Sequence, residues 1–157
     1  MKKIFLVLLL LFGSLFATTE KKVPTVVPIP WIKENLSNPN LVIVDLRKKE
    51  DYDKGHITGA VNMPGLDSLF EKDTWMMPKL DFLKELFSNA GINQDSLVVA
   101  YDNGDFFWAA RLYWILEVFG HENVGLSKYA YGKYMQDNLP ITTETSKPVR
   151  KEFIPRV

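Results

Sequence analysis

No cysteine occurs anywhere in the 157 residues. Thiol nucleophiles, thiolate metal sites and disulfides are therefore excluded, since each needs a sulfur that ionises or cross-links. A surplus of charge of one sign is also missing: 19 basic residues balance 19 acidic ones. Nucleic acid and acidic membrane surfaces, which select strongly basic chains, are not expected partners. Long hydrophobic runs are scarce. The only long one, within Ile4 to Ala17, covers 14 residues, short of the roughly 20 needed to cross a bilayer. What remains is 46% hydrophobic and 24% charged residues, the composition of one ordinary folded domain.

The N-terminus reads as an export signal. Lys2 and Lys3 supply a positive start, Ile4 to Phe12 an apolar stretch, and Ala17 a cleavage point. The expectation is an exported protein, periplasmic or secreted, cut after residue 17 and not held in a membrane afterwards. Loss of Lys2 and Lys3 leaves 17 basic against 19 acidic residues.

Residues 18–30 carry Pro24, Pro28 and Pro30 and read as an extended lead-in. Trp31 to Leu36 reads as a short helix. Leu41 to Leu46 is apolar without alternation, the pattern of a strand buried on both faces. Arg47 to Lys54 reads as a helical turn, and Ala60 to Asn62 as a short strand. Residues 65–78 show no period, and Trp75 to Pro78 is expected to be a loop packed by its own side chains. Leu80, Leu83, Leu86, Phe87 and Ala90 mark a helix that Gly91 stops. A strand over Leu97 to Tyr101 then runs through Asp102-Asn103-Gly104-Asp105 into a helix over 106–119, apolar enough to be read as core. Asn123 to Leu126 is a last strand and Tyr131 to Asn138 a last helix. From 145 the chain reads as a linker-like tail, although Phe153-Ile154-Pro155 is more apolar than an exposed terminus requires. Strands alternating with helices predict an α/β fold, a mainly parallel sheet covered on both faces.

Two places carry groups able to do chemistry. Asp45, Arg47 and Asp51 lie at and beyond a strand's C-terminal end, where open α/β sheets bind ligands. They read as an ion-pair network, with orientation of a substrate anion as the alternative. His56, between Gly55 and Ile57, is expected to bond backbone, and His121 to cap a helix C-terminus. At Asp102 to Asp105, helix capping is the economical reading. Cation binding is weaker, because the spacing and bidentate acid of a calcium loop are missing. Nothing calls for a metal or a cofactor.

Together these segments resemble the rhodanese domain. Asp45-Leu46-Arg47, Asp51-Tyr52 and Gly55-His56-Ile57-Thr58-Gly59-Ala60-Val61-Asn62-Met63-Pro64 are similar to its N-terminal signature. Residues 97–120 are similar to its strand, active-site loop and helix, and the segments from Gly120 and from Leu139 to its closing part. The resemblance implies a rhodanese-like domain over 31–144. It also makes Asp45, Arg47, Asp51, Gly55, His56 and Gly59 motif residues that shape the fold. In active members a cysteine opens the loop and carries sulfur as a persulfide. Asp102 stands in its place here, followed by Asn103, Gly104 and Asp105 as loop candidates. A carboxylate forms no persulfide. Tyr101-Asp102 and Ala109 to Trp114 are similar to the cysteine-free N-terminal half of tandem thiosulfate and 3-mercaptopyruvate sulfurtransferases. Tyr129-Ala130 departs from the family's usual Gly-Gly. The implied function is that of the silent half of such an enzyme, partnered by a cysteine-bearing domain. The alternative is a stand-alone periplasmic module binding a partner or a small ligand.

Overall fold

The computed structural model describes residues 22–156, so the expected signal at 1–17 lies outside the described residues. Five parallel strands form the central sheet in the order β1-β6-β5-β2-β4. They are β1 (Val26–Val27), β2 (Leu41–Asp45), β4 (Val61–Asn62), β5 (Leu97–Tyr101) and β6 (Val124–Ser127). A two-stranded antiparallel sheet of β3 (His56–Ile57) and β7 (Ile141–Thr142) sits apart from them. The helices are α1 (Ile29–Asn35), α2 (Lys49–Lys54), α3 (Gly65–Ser68), α4 (Leu80–Asn89), α5 (Phe107–Val118) and α6 (Tyr131–Gln136).

Side chains alternate across a strand, so β2 and β5 feed two cores. Val42, Val44, Val98 and Ala100 face one way and pack with Leu83 and Phe87 of α4 and Leu112, Ile115 and Leu116 of α5. Ile43, Leu97, Val99 and Tyr101 face the other way and pack with Ile32 of α1 and Tyr134 of α6. Because both faces are covered, these strands are continuously apolar.

Three helices end in the same way. Gly91 (φ +77°), Gly120 (φ +72°) and Asn138 (φ +54°) each take the left-handed conformation just past a helix end. The next residue's N–H then reaches back to the third residue from the helix end: Ile92 to Phe87, His121 to Leu116 and Leu139 to Tyr134. This double-bonded stop satisfies carbonyls that would otherwise be orphaned.

The structure departs from the sequence reading in five places. The lead-in is not wholly free, because Val26–Val27 pairs with β6 as an edge strand. The tract 65–78 contains a turn of helix, α3, and its loop is closed by backbone bonds as well as by its own side chains, Thr74 bridging Glu71 and Met76 N–H and Trp75 meeting the Phe70 edge. Glu71 N–H donates to Met76 O, Trp75 N–H donates to Glu71 O, and Trp75 and Met76 stand out in solvent. The tail returns to the body: Phe153 is fully buried against Phe87, and Lys151 and Phe153 donate to Ser88. His121 caps the α5 terminus with its main-chain N–H, while its ring lies buried beside Phe153. Finally, α5 is core on only one side. Phe107, Trp114 and Val118 are exposed.

Candidate functional site

The site is built where β2 and β5, neighbours in the sheet, come to their C-terminal ends. Their register sets Asp45 opposite Tyr101, with Asp102 the next residue along. Beyond Asp102 the chain makes a tight loop into α5. Phe106 enters the helix with φ +63°, a left-handed conformation costly for an aromatic residue.

Asp102 is buried, and its carboxylate gathers three main-chain N–H groups. Gly104 and Phe106 donate to Oδ1 at 2.8 and 3.3 Å, and Ala109, in the first turn of α5, donates to Oδ2 at 3.1 Å. Asp105 accepts from Phe107 N–H at 3.2 Å and stays exposed. The carboxylate thus sits in a ring of N–H dipoles at a helix N-terminus, the environment that favours an anion. Asn103 lies exposed at the loop's crest. Gly104 adopts φ +102°, and a Cβ there would come within 2.7 Å of Ala130 Cβ. The loop is pressed onto the turn before α6, at the position where Ala130 departs from the family's glycine pair.

Asp45 and Arg47 form a second, separate cluster. The guanidinium meets the Asp45 carboxylate at 2.6 Å (NH2 to Oδ2), and both groups are almost inaccessible. Arg47 also donates to the Gly55 carbonyl at 2.8 Å and lies over the Tyr131 ring, 3.9 Å from its centroid. Tyr101 donates to Asp45 Oδ2 at 2.5 Å. Burial opposes the Arg47 charge, but hydrogen bonding and attraction to Asp45 more than offset it, and its pKa lies above the ordinary value. Burial, reinforced by the Asp45 charge, likewise pushes the Tyr101 phenol well above its usual range. Gly55 is required here, because a Cβ would reach within 2.5 Å of the Tyr131 hydroxyl.

His56 is fully buried and stacked on Tyr52 at 3.5 Å. Its ring nitrogens lie 2.8 Å from the Tyr52 carbonyl oxygen and 3.1 Å from that of Glu144. It ties α2 to the segment after β7. Asp51 does not join this cluster; its carboxylate lies 3.4 Å from Lys54 at the surface. Gly59, at φ +83°, has open space around its α-carbon. The sequence reading missed Tyr131, which faces Arg47, and Asn62, whose amide donates to the carbonyls of Asp45 and Arg47. Strand register alone would have pointed to Tyr101.

A depression of 290 Å³ opens beside the loop, between Lys48, Asn103, Leu66 and the Trp108 ring. Trp108 forms its wall because Gly65 has no side chain; a Cβ there would come within 2.6 Å of the indole. Among the described residues, no group of three or more His, Asp or Glu side chains is arranged to hold a metal ion.

Comparison with known proteins accounts for this arrangement. The model of the rhodanese-like domain matches residues 29–137. The sulfur carrier protein TtuD of Thermus thermophilus is 31% identical over 122 residues, covering 73% of this chain and 40% of that protein. The 3-mercaptopyruvate sulfurtransferase of Escherichia coli is 28% identical over 121 residues, covering 69% of this chain and 43% of that protein. The crystal structure of SseA, a 3-mercaptopyruvate sulfotransferase from Escherichia coli, superposes with a TM-score of 0.74 at 26% identity. That superposition covers 85% of this chain and 56% of the other. Tum1 from Saccharomyces cerevisiae, at 18% identity and a TM-score of 0.64, shares the fold. The matched part of the chain thus spans only 40% and 43% of the length of the curated relatives named here. By sequence and by architecture, the chain belongs to the family of rhodanese-like domains.

Proposed function

We propose that this protein is the cysteine-free partner half of a sulfurtransferase of the thiosulfate or 3-mercaptopyruvate class. Sulfur transfer requires a cysteine-bearing domain in addition to this one. One observation carries the reading: Asp102 fills, with its own carboxylate, the cradle of N–H groups at the start of α5. A thiolate nucleophile needs such a cradle for its charge. Here the fixed anion occupies that position, forms no persulfide, and repels an incoming sulfur-donor anion. The relatives named above are sulfurtransferases or sulfur carriers of which the matched part makes up less than half, which fits a role as one part of a larger machine. Export completes the proposal, on the strength of the Lys2-Lys3 start and the apolar Ile4 to Phe12 run. The test is cyanide-dependent thiocyanate formation from thiosulfate and from 3-mercaptopyruvate. The purified chain alone is expected to give the uncatalysed rate with both donors. Turnover by this cysteine-free chain would overturn the reading.

A further inference from the structure

Helix α5 carries only Arg111 and Glu117 as charges, a composition that suits a helix covered on most sides. Among the described residues only one side is covered. Phe107, Arg111, Trp114 and Val118 follow one another at intervals of four, three and four residues, so they form a single stripe along the outer face. Phe107 is 59% exposed and Trp114 48%. Phe70 extends the stripe sideways, its ring parallel to Phe107 at 6.4 Å, and Trp75 continues it at 5.9 Å from Phe70. Trp75 is 62% exposed and held outward at φ +58° by the 71–76 loop.

We propose that this face is the interface of a two-fold dimer, and that a second copy of this chain covers it. Three observations select that occupant. First, the interval pattern is that of the alternating a and d positions in a helix-to-helix seam, which fits another helix of the same pattern. Second, the area is sufficient. At about 150–250 Å² per aromatic side chain, Phe107, Trp114 and Trp75 leave on the order of 350 Å² open. Phe70, Arg111 and Val118 bring the face to roughly 500 Å², at the upper end of what a monomer ordinarily exposes. Doubled across a two-fold axis, that is about the 1,000 Å² a specific interface requires.

Third, the charges on the face are self-complementary. Arg111 lies over the rings of Phe70 and Trp114, at 4.5 and 4.9 Å, and meets no carboxylate among the described residues. Asp67 and Glu71, the latter also accepting from Thr74 Oγ1, line the adjoining groove between Leu66 and Trp75 together with Lys72. In an isologous pair, residue i of one copy meets residue j of the other twice. Arg111 of each copy therefore reaches the acidic flank of its partner. Burial also lowers the Arg111 pKa, a cost that the partner's carboxylates offset.

Sedimentation equilibrium on the full chain tests the pairing. The expected result is a concentration-dependent shift from the monomer mass to twice that mass. Phe107→Lys and Trp114→Lys, both at exposed sites, are each expected to raise the dissociation constant at least about tenfold with the circular dichroism spectrum unchanged. Arg111→Glu alone and the double variant Asp67→Lys/Glu71→Lys alone are expected to be monomeric. A one-to-one mixture of these two is expected to restore the dimer, because every cross-interface pair then joins opposite charges. A wild-type chain monomeric up to about 1 mM overturns the proposal. So does a dimer untouched by Trp114→Lys, or a mixture that stays monomeric.

Discussion

Two adjacent parallel strands, β2 and β5, deliver a buried aspartate to the same edge of the sheet, and the two carboxylates are neutralised by different means. Asp45 faces a full charge, the guanidinium of Arg47, supplemented by the Tyr101 hydroxyl. Among the described residues no side-chain cation pairs with Asp102, which relies on three main-chain N–H groups of the loop and of α5. The first arrangement depends on one long side chain staying in place. The second depends on the path of the backbone itself. The contrast explains why the strand end at β2 works as a clamp between elements, whereas the strand end at β5 keeps the shape of an anion site.

Removing the cation should produce the largest effect. Arg47→Met leaves Asp45 charged, buried and unpaired, and is expected to cost about 3–5 kcal/mol in urea unfolding. The double variant Asp45→Asn/Arg47→Met should be less damaging than Arg47→Met alone, because no uncompensated charge remains. If the double variant is the worse of the two, the ion pair is not what holds this edge.

Asp102→Ala comes next. It strips the acceptor from three N–H groups, and a loss of about 2 kcal/mol is expected by thermal unfolding. Asp102→Asn keeps one carbonyl oxygen and should recover roughly half of that. A loss after Asp102→Ala as large as after Arg47→Met would erase the distinction between the two strand ends.

His121 is another buried ionisable group, and main-chain hydrogen bonds involving Asn123 and Ser96 only partly offset its burial. Its Nε2 finds no partner, and burial lowers its pKa below the ordinary 6.5. The folded chain therefore binds this proton less readily than the unfolded chain. Stability from this source is complete above pH 6.5 and is lost as the pH falls through the lowered folded value, at up to about 1.4 kcal/mol per pH unit. His121→Phe should flatten that part of the stability profile between pH 7 and pH 5. An unchanged slope would show that other groups set it.

The smallest effect belongs to the exposed pairs. Lys49 and Asp53 meet at 2.6 Å on α2 with both side chains about half exposed or more. Lys49→Ala is expected to cost no more than about 0.5 kcal/mol and to lose that difference in high salt. The Asp45 and Asp102 variants should keep their costs under the same conditions.

Much of the fold was legible because it depends on local patterns. The apolar runs at 41–46, interrupted only by Asp45, and at 97–101 located the two central strands within a residue. Gly91 announced its helix stop, since only a residue tolerant of positive φ fits there. The pairs β3–β7 and β1–β6 were not legible. Each is two residues long and joins segments 84 to 100 residues apart by register, so neither shows a periodic signal. At the site, Asp102 and Arg47 stood out by charge at the ends of apolar strands. Tyr131 did not, because its contact with the Arg47 guanidinium exists only after α6 has packed.

The sequence by itself determined that no thiol or persulfide can form on these 157 residues, because covalent capability is a property of residue type. It also determined the strands β2 and β5, since burial on both faces leaves a mark on composition. Tertiary structure decided what charge and exposure mean in place. It showed Asp102, which the sequence offers as a helix cap, gathering three main-chain N–H groups with a buried carboxylate. It returned the polar tail to the core through Phe153. It also left one side of α5 uncovered, although the helix reads as core all the way round. Apolar composition records only that a surface is to be covered; which surface covers it depends on where the other elements pack, and along α5 none of the described elements covers the outer stripe.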